Sequence, residues 1–235
     1  MAFSHSPKIV TDGLVLCLDA GNPKSYPGSG TTWKDLSGNG YNGTLTNGPT
    51  FDSGNGGSIA FDGSDDLIAQ SYNMSSMSEF SILIWAKTFD TGSISADNNA
   101  ALAGPNAGGT YIRTGFSHNS QRLSILMYVN GNENNVFTSV NIPYSSFDES
   151  GYNLYVCSIK DNVSMNIYFN AELKQTTSIG SAITTGLNSW YQRLGNYANA
   201  FKWNGVISKV QLYTRLLTAS EIQQNYNATK GRFGL

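Results

Sequence analysis

Phe201-Lys202-Trp203-Asn204-Gly205-Val206-Ile207-Ser208-Lys209-Val210-Gln211-Leu212-Tyr213 runs on as Thr214-Arg215-Leu216-Leu217-Thr218-Ala219-Ser220-Glu221-Ile222. The first part is rich in β-branched and aromatic residues interleaved with polar ones and reads as a strand over Asn204–Tyr213. The second part changes period. Thr218 can cap a helix, and Glu221 three residues later completes a capping box. Ile222 and Tyr226 then fall on one helical face. The pattern predicts one short helix over Ala219–Tyr226.

Outward from this stretch the chain repeats one theme: short runs separated by Gly, Asn, Ser and Asp clusters. Strands are expected at Gly13–Leu18, Gly43–Leu45, Gly57–Phe61, Leu67–Ala69, Phe80–Lys87, Ala101–Ala103 and Tyr111–Phe116. Others are expected at Arg122–Val129, Asn135–Ile142, Tyr152–Lys160, Ser164–Phe169, Leu173–Ile179 and Trp190–Leu194. Phe80-Ser81-Ile82-Leu83-Ile84-Trp85-Ala86 is almost wholly apolar, as a central strand covered on both faces requires. Many short strands with frequent turn signals indicate a sandwich or barrel. Ser53–Gly57 and Thr91–Asn99 read as surface loops. There is no linker and no internal repeat.

Composition sets bounds on function. A chain of 235 residues, 40% hydrophobic, can bury a full core as one β domain without staples. Only 13% of residues are charged, so Asn, Ser, Thr and Gly must supply the polar surface. The net charge is −2, with no Lys/Arg run, which argues against nucleic-acid binding. Cys17 and Cys157 lie in apolar runs and are expected to be free and buried. The N-terminal residues lack a secretory signal pattern, and no stretch is long and apolar enough for membrane insertion.

Several segments together resemble the concanavalin A-like lectin/glucanase superfamily, in its laminin-G-like branch as found in tailed-phage virion proteins. They are Gly13-Leu14-Val15-Leu16-Cys17-Leu18-Asp19-Ala20-Gly21-Asn22, the run from Ser25 to Gly40, Asn42-Gly43-Thr44-Leu45, Phe61-Asp62-Gly63-Ser64-Asp65-Asp66, and the stretch from Phe201 to Ile222. The resemblance spans roughly Val10 to Tyr226, and the wording of the N-terminal segment is similar to cyanophage proteins. It implies an all-β, two-sheet antiparallel jelly-roll sandwich with one short C-terminal helix. Residues 10–228 are read as the domain, 1–9 as an N-terminal segment able to anchor it, and 229–235 as a C-terminal tail. Two departures stand out. Where the family often has Asn-Gly at a hairpin turn, this chain has Asn170-Ala171; Ala adopts positive φ poorly, so a type I′ turn is not expected there. After Ile207 the family often has Asp-Glu, and here Ser208-Lys209 removes those acids.

An enzyme of this fold would need two carboxylates flanking a glycosidic bond. The superfamily's glucanases carry Glu-x-Asp-x-x-Glu on one strand, and no such spacing occurs here. Glu79, Glu133, Glu149, Glu172 and Glu221 are isolated. His5 and His118 are the only histidines, and there is no Gly-x-Ser-x-Gly elbow. Calcium takes oxygen ligands. Asp65 and Asp66 are the first choices for it, with Asp19 and the Asp35 loop as further donors; turn-forming roles compete with that reading. Sugar binding needs an exposed aromatic beside planar polar groups. Trp190, Tyr191, Arg193, Asn196, Tyr197 and Trp203 form the densest such set, with Tyr26 and Tyr41 as other loop aromatics and core packing as the alternative for each.

The expectation is therefore a non-enzymatic virion structural, decoration or tail-associated protein. It would assemble in the host cytoplasm without a signal peptide and display a lectin-like sandwich on the virion surface. Its partners would be capsid or tail proteins and host surface polysaccharide; homo-oligomerisation stays open. A free carbohydrate-binding module, or less favourably a glycoside hydrolase, is the alternative.

Overall fold

The computed structural model describes residues 7–72, 77–89, 99–104, 111–117, 122–130, 135–143, 151–160, 163–178, 193–197 and 201–235. Its strands in chain order are β1 (Leu14–Asp19), β2 (Thr32–Trp33), β3 (Gly43–Thr46), β4 (Thr50–Asp52), β5 (Ser58–Asp62) and β6 (Leu67–Ala69). Then come β7 (Glu79–Thr88), β8 (Asn99–Gly104), β9 (Tyr111–Ser117), β10 (Arg122–Asn130), β11 (Asn135–Pro143) and β12 (Asn153–Lys160). The last are β13 (Ser164–Phe169), β14 (Glu172–Ser178), β15 (Arg193–Leu194), β16 (Asn196–Tyr197), β17 (Phe201–Lys202) and β18 (Asn204–Tyr213). Helix α1 (Ala219–Thr229) and a 3-10 turn at Lys230–Phe233 follow.

All described pairings are antiparallel, and they build two main sheets. One runs β14-β13-β12-β7-β18-β5-β4, with β1 also on β18; the other runs β11-β10-β9-β8-β15-β6-β3-β2. Strand β18 is the spine of the first sheet. One edge lies along β7, while the other is shared, Asn204–Ile207 pairing β5 and Lys209–Tyr213 pairing β1. This is the antiparallel sandwich with one short C-terminal helix that the family resemblance implied.

The pleat sorts the side chains. On β7, Phe80, Ile82, Ile84 and Ala86 join the core between the sheets, with Leu16, Leu18, Trp33, Ile59, Phe61, Ile167 and Leu212. Leu83 and Trp85 point the other way, into a second cluster with Val206, Tyr213, Leu217 and Ile222 under α1. That second cover explains the two-sided apolar character of β7. On β18, Ile207 and Val210 both enter the inner core although they are an odd number of residues apart. A period-two strand permits this only with an extra residue. The register against β7 does shift between Ile207 and Lys209.

The bulge at Ser208 is wired into a buried polar network. Ser208 Oγ donates to Gly57 O at 2.7 Å, and Ser208 O accepts from Ala20 N at 2.9 Å. The Arg232 guanidinium reaches Ser208 Oγ, donates to Gly57 O at 2.8 Å and pairs with Asp19 at 2.5 Å. Lys209 lies 3.6 Å from the other Asp19 oxygen and donates to Thr229 Oγ1 at 3.3 Å. Two cations thus converge on one carboxylate.

The C-terminal residues from 229 onward are not a free tail. Arg232 is held as described, and the Phe233 ring stacks on Tyr152 at 4.3 Å and meets Trp85 at 4.8 Å. These aromatic contacts make the segment part of the fold.

Helix α1 forms as its signals require. Thr218 Oγ1 accepts from Glu221 N, and Glu221 returns to Thr218 N at 2.8 Å. Arg215 clasps Glu221 at 2.6 and 2.9 Å. The hydrogen bonds and charge of Arg215, helped by Thr218, hold the Glu221 carboxyl down at about 2. Tyr213 Oη donates to Val10 O and accepts from Asn225, tying the segment before β1 to β18 and the helix. Cys17 and Cys157 are free and buried, and burial pushes the Cys17 thiol up to about 11. Among the described residues no helix is long and apolar enough to cross a membrane.

The β13–β14 turn corrects an expectation. Asn170 and Ala171 both have positive φ, 50° and 67°, as a type I′ hairpin requires. Local bonding outweighs the preference of Ala. Asn170 N donates to Leu154 O, its Oδ1 accepts from Leu154 N at 2.8 Å, and its Nδ2 donates to Asn153 at 2.9 Å.

Two expectations follow for stability. Asp19→Ala leaves two cations without their carboxylate and should cost about 3–5 kcal/mol in urea unfolding, whereas Lys209→Met, which keeps the Asp19–Arg232 pair, should cost much less; equal, small losses would contradict the network. Ala171→Gly should raise stability by about 1 kcal/mol by relieving left-handed strain, read as a higher melting temperature; a drop would contradict it.

Candidate functional site

Carboxylates gather at the β5–β6 turn. Asp62 ends β5, Gly63 turns with φ 76°, and Asp65 and Asp66 lead into β6. Ligand oxygens of Asp62, Asp65 and Asp66 lie within 4.8 Å of one another, the first two side chains exposed and the third buried. Backbone amides fix the cluster: Asp62 N donates to Asp66 Oδ2 at 2.9 Å, and Ser64 N donates to Asp62 Oδ1 at 2.7 Å. The neighbouring β3–β4 turn braces it, Asn47 Nδ2 donating to Asp65 O at 3.0 Å. Burial raises the Asp66 carboxyl above its ordinary value; the Asp62 N–H opposes this, and the charges of Asp62 and Asp65 add to it.

Three carboxylates with oxygens left over make a hard, acidic donor set, which suits calcium better than a softer metal. The expected choices Asp65 and Asp66 are brought together, and Asp62 joins them. Its signal was the Asp-x-x-Asp-Asp spacing across a glycine turn. The other expected donors are absorbed elsewhere. Asp19 binds Arg232 and Lys209. Asp35 accepts from Cys17 N, Ser37 N, Ser37 Oγ and Tyr41 N, so it staples its own loop to β1.

The aromatic set fares differently. Trp190 and Tyr191 lie outside the described residues, as does the side chain of Tyr197. Arg193 is half-buried on β15, and Asn196 is buried on β16. Trp203, expected among the surface aromatics, is 1% exposed and belongs to the inner core. Its backbone N–H donates to Gly195 O at 2.8 Å, and with the ring buried in the core its faces cannot stack on a sugar. Gly195 has φ 81°, and a side chain there would strike the Phe61 ring. Tyr26 is also buried, donating to Gly30 O and packing on Phe51. Tyr41 is half-buried and meets Tyr72 edge-on at 4.6 Å. Beneath that pair lies Gln70, 8% exposed, with neither amide atom partnered among the described residues. Orphaned buried amide groups are costly, about 1–3 kcal/mol each. Nothing in the local sequence marked Gln70, because its burial comes from strand pairing.

The described glutamates are spread apart and each is ion-paired: Glu79 with Lys160, Glu172 with Lys174, Glu221 with Arg215.

Comparison with known proteins matches the fold. The family model described as concanavalin A-like lectin/glucanases superfamily (Laminin_G_3) matches residues 61–223. Among curated proteins none matches the sequence. Among solved structures, the binding domain of Paraclostridial Mosquitocidal Protein 1 is similar with TM-score 0.68 and 17% identity, covering 93% of this chain and 52% of that one. The binding domain of Botulinum Neurotoxin DC in complex with SialylT has TM-score 0.64 and 16% identity, covering 93% and 52%. Domain 4 of AbnA, a GH43 extracellular arabinanase from Geobacillus stearothermophilus, in complex with arabinotriose, has TM-score 0.65 and 16% identity, covering 91% and 98%. The chain thus spans about half the length of the toxin binding domains and nearly all of the arabinanase domain. At these identities the likeness is one of fold.

The acidic turn carries a measurable electrostatic cost. An acid held above its unfolded value binds its proton more tightly when folded, so stability falls as pH rises through that interval and stays lower at pH 7. Asp66→Asn, which can still accept from Asp62 N, should therefore raise the melting temperature by about 2–4 °C at pH 7 in chelator. The gain should vanish below the ordinary carboxyl value of 3.8. A lower melting temperature at pH 7 would contradict this account.

Proposed function

This chain belongs to the concanavalin A-like lectin/glucanases superfamily, and we propose that it is a non-catalytic adhesion domain that binds carbohydrate from the surface of a phage particle. The observation that carries the non-catalytic reading is the disposition of the carboxylates. Glycoside hydrolysis needs two acids facing each other across a bound sugar. Here the described glutamates are scattered and ion-paired. The Asp62–Asp65–Asp66 cluster is a tight turn tied to its own amides. That arrangement suits a bound calcium ion, which would neutralise the turn and stiffen the adjacent rim.

Support for carbohydrate as the ligand comes from the fold. Similar structures include domains solved with SialylT and with arabinotriose, and all three compared domains come from extracellular or toxin proteins whose described parts bind. Support for display on a particle comes from the wording of the segments between Gly13 and Gly40, which is similar to that of tailed-phage virion proteins. On this reading the domain faces outward, other capsid or tail proteins hold it, and host surface polysaccharide is its target.

The experiment has two arms. A glycan array probed with the purified chain, once with calcium and once with chelator, should give binding that calcium strengthens. Mass spectrometry of purified particles should find the chain. Absence of binding in both conditions would overturn the adhesion reading, and absence from particles would overturn the virion placement. Release of shortened sugars would favour a hydrolase instead.

A further inference from the structure

The antiparallel pairing of β3 with β6 sets Thr44 opposite Ala69 and Leu45 opposite Ile68. Extended by one residue, it sets Gly43 beside Gln70. The Gln70 amide nitrogen lies 3.4 Å from where a Cβ on Gly43 would stand, with Leu18 at the same distance and Ile68 at 2.7 Å. Extended by three, it sets Tyr41 opposite Tyr72, whose rings meet at 4.6 Å. These side chains share the inner face of the second sheet, since Leu45 and Ile68 belong to the inner core. The rim of the sandwich therefore has two storeys, with the Tyr41–Tyr72 pair outside and the Gln70 amide one step beneath.

The lower storey is polar and unsatisfied. Both Gln70 amide atoms lack a partner among the described residues, and so does Nε1 of Trp33, which pairs across from Gly43 in the same row. Leu18 and Ile68 wall this storey, and the Gln70 amide and the Trp33 indole N–H are the polar groups set among them. The upper storey packs half-buried against the inner core and has weak hydrogen bonding. Among the described residues the Tyr72 hydroxyl donates to the Met77 sulfur, a weak acceptor, at 3.6 Å. Tyr41 is anchored through its backbone, its N–H donating to Asp35 at 3.2 Å, and its ring is not held by that bond.

We propose that this rim is a saccharide subsite: the tyrosine pair opens to admit one unit of a neutral glycan, and Gln70 reads it. A primary amide presents one donor and one acceptor side by side, and two neighbouring ring hydroxyls present the complementary pair. The displaced tyrosine ring supplies an apolar face for the sugar ring. Gly43 is required because any side chain there would press on Ile68 and Gln70. This inference rests on the carbohydrate-binding reading above and names the residues that would carry it.

The test uses the full chain labelled with 15N. Side-chain amide signals are followed while arabinotriose, cellotriose and maltotriose are added in turn. The Gln70 pair, identified by its loss in Gln70→Met, should move with at least one of them. Gln70→Met should weaken that sugar tenfold or more without lowering the melting temperature, because it removes an amide that bonds nothing. Tyr41→Ala should weaken the same sugar. A sugar that binds Gln70→Met as tightly as the parent chain overturns the subsite and leaves the carbohydrate-binding reading standing. A Gln70 amide that contacts only a long-lived water, unmoved by any of the three sugars, overturns the subsite as well. If none of the sugars and no glycan on the array binds, both readings fall.

Discussion

Asp19 is the residue on which the arrangement turns. It ends β1 and receives Lys209 from the bulge of β18 and Arg232 from the C-terminal turn. The need for it begins in the core. Ile207 and Val210 must both face inward, so one residue has to be absorbed between them, and the bulge at Ser208 absorbs it. A bulge frees polar backbone in the middle of a buried sheet. Here Ser208, Gly57 and Ala20 bond one another, and the two cations come with it. Removing water from those charges is unfavourable, and only a shared carboxylate with good hydrogen bonds offsets it. The network joins residues far apart in sequence and so fixes the order of β5, β18 and β1.

That fixing determines where function can sit. The outer face of the first sheet is sealed by α1, Tyr226 and Phe233 over Trp85 and Tyr152. The space between the sheets is filled by aliphatic and aromatic side chains. The acidic turn of Asp62, Asp65 and Asp66 and the unpartnered amide of Gln70 lie in the turns and rim.

Much of this was legible in the residues. The alternation of the strands, the capping box at Thr218 and Glu221, and the two apolar faces of β7 all follow from local pattern. The short strands β2, β4, β16 and β17 were not legible, because two or three residues carry no period. Pattern also failed where one residue's context reverses its usual preference. Trp203 follows a polar Lys202 and looks exposed, yet its ring is packed in the inner core with residues remote in sequence. Ala171 disfavours positive φ, yet the bonds of Asn170 hold it there. Phe233 and Arg232 look like a tail and are structural, because their partners Asp19, Trp85 and Tyr152 are remote in sequence. In the candidate site the acidic turn was visible as a motif. Gln70 was not, because its burial is a product of pairing.

The central claim is that the chain holds polysaccharide and leaves it whole. Affinity electrophoresis tests this directly, with host surface polysaccharide run through a gel containing the protein and its chain length measured after recovery. The account predicts retarded migration and an unchanged length distribution. Shortened chains, or migration equal to that in a gel without protein, would contradict it.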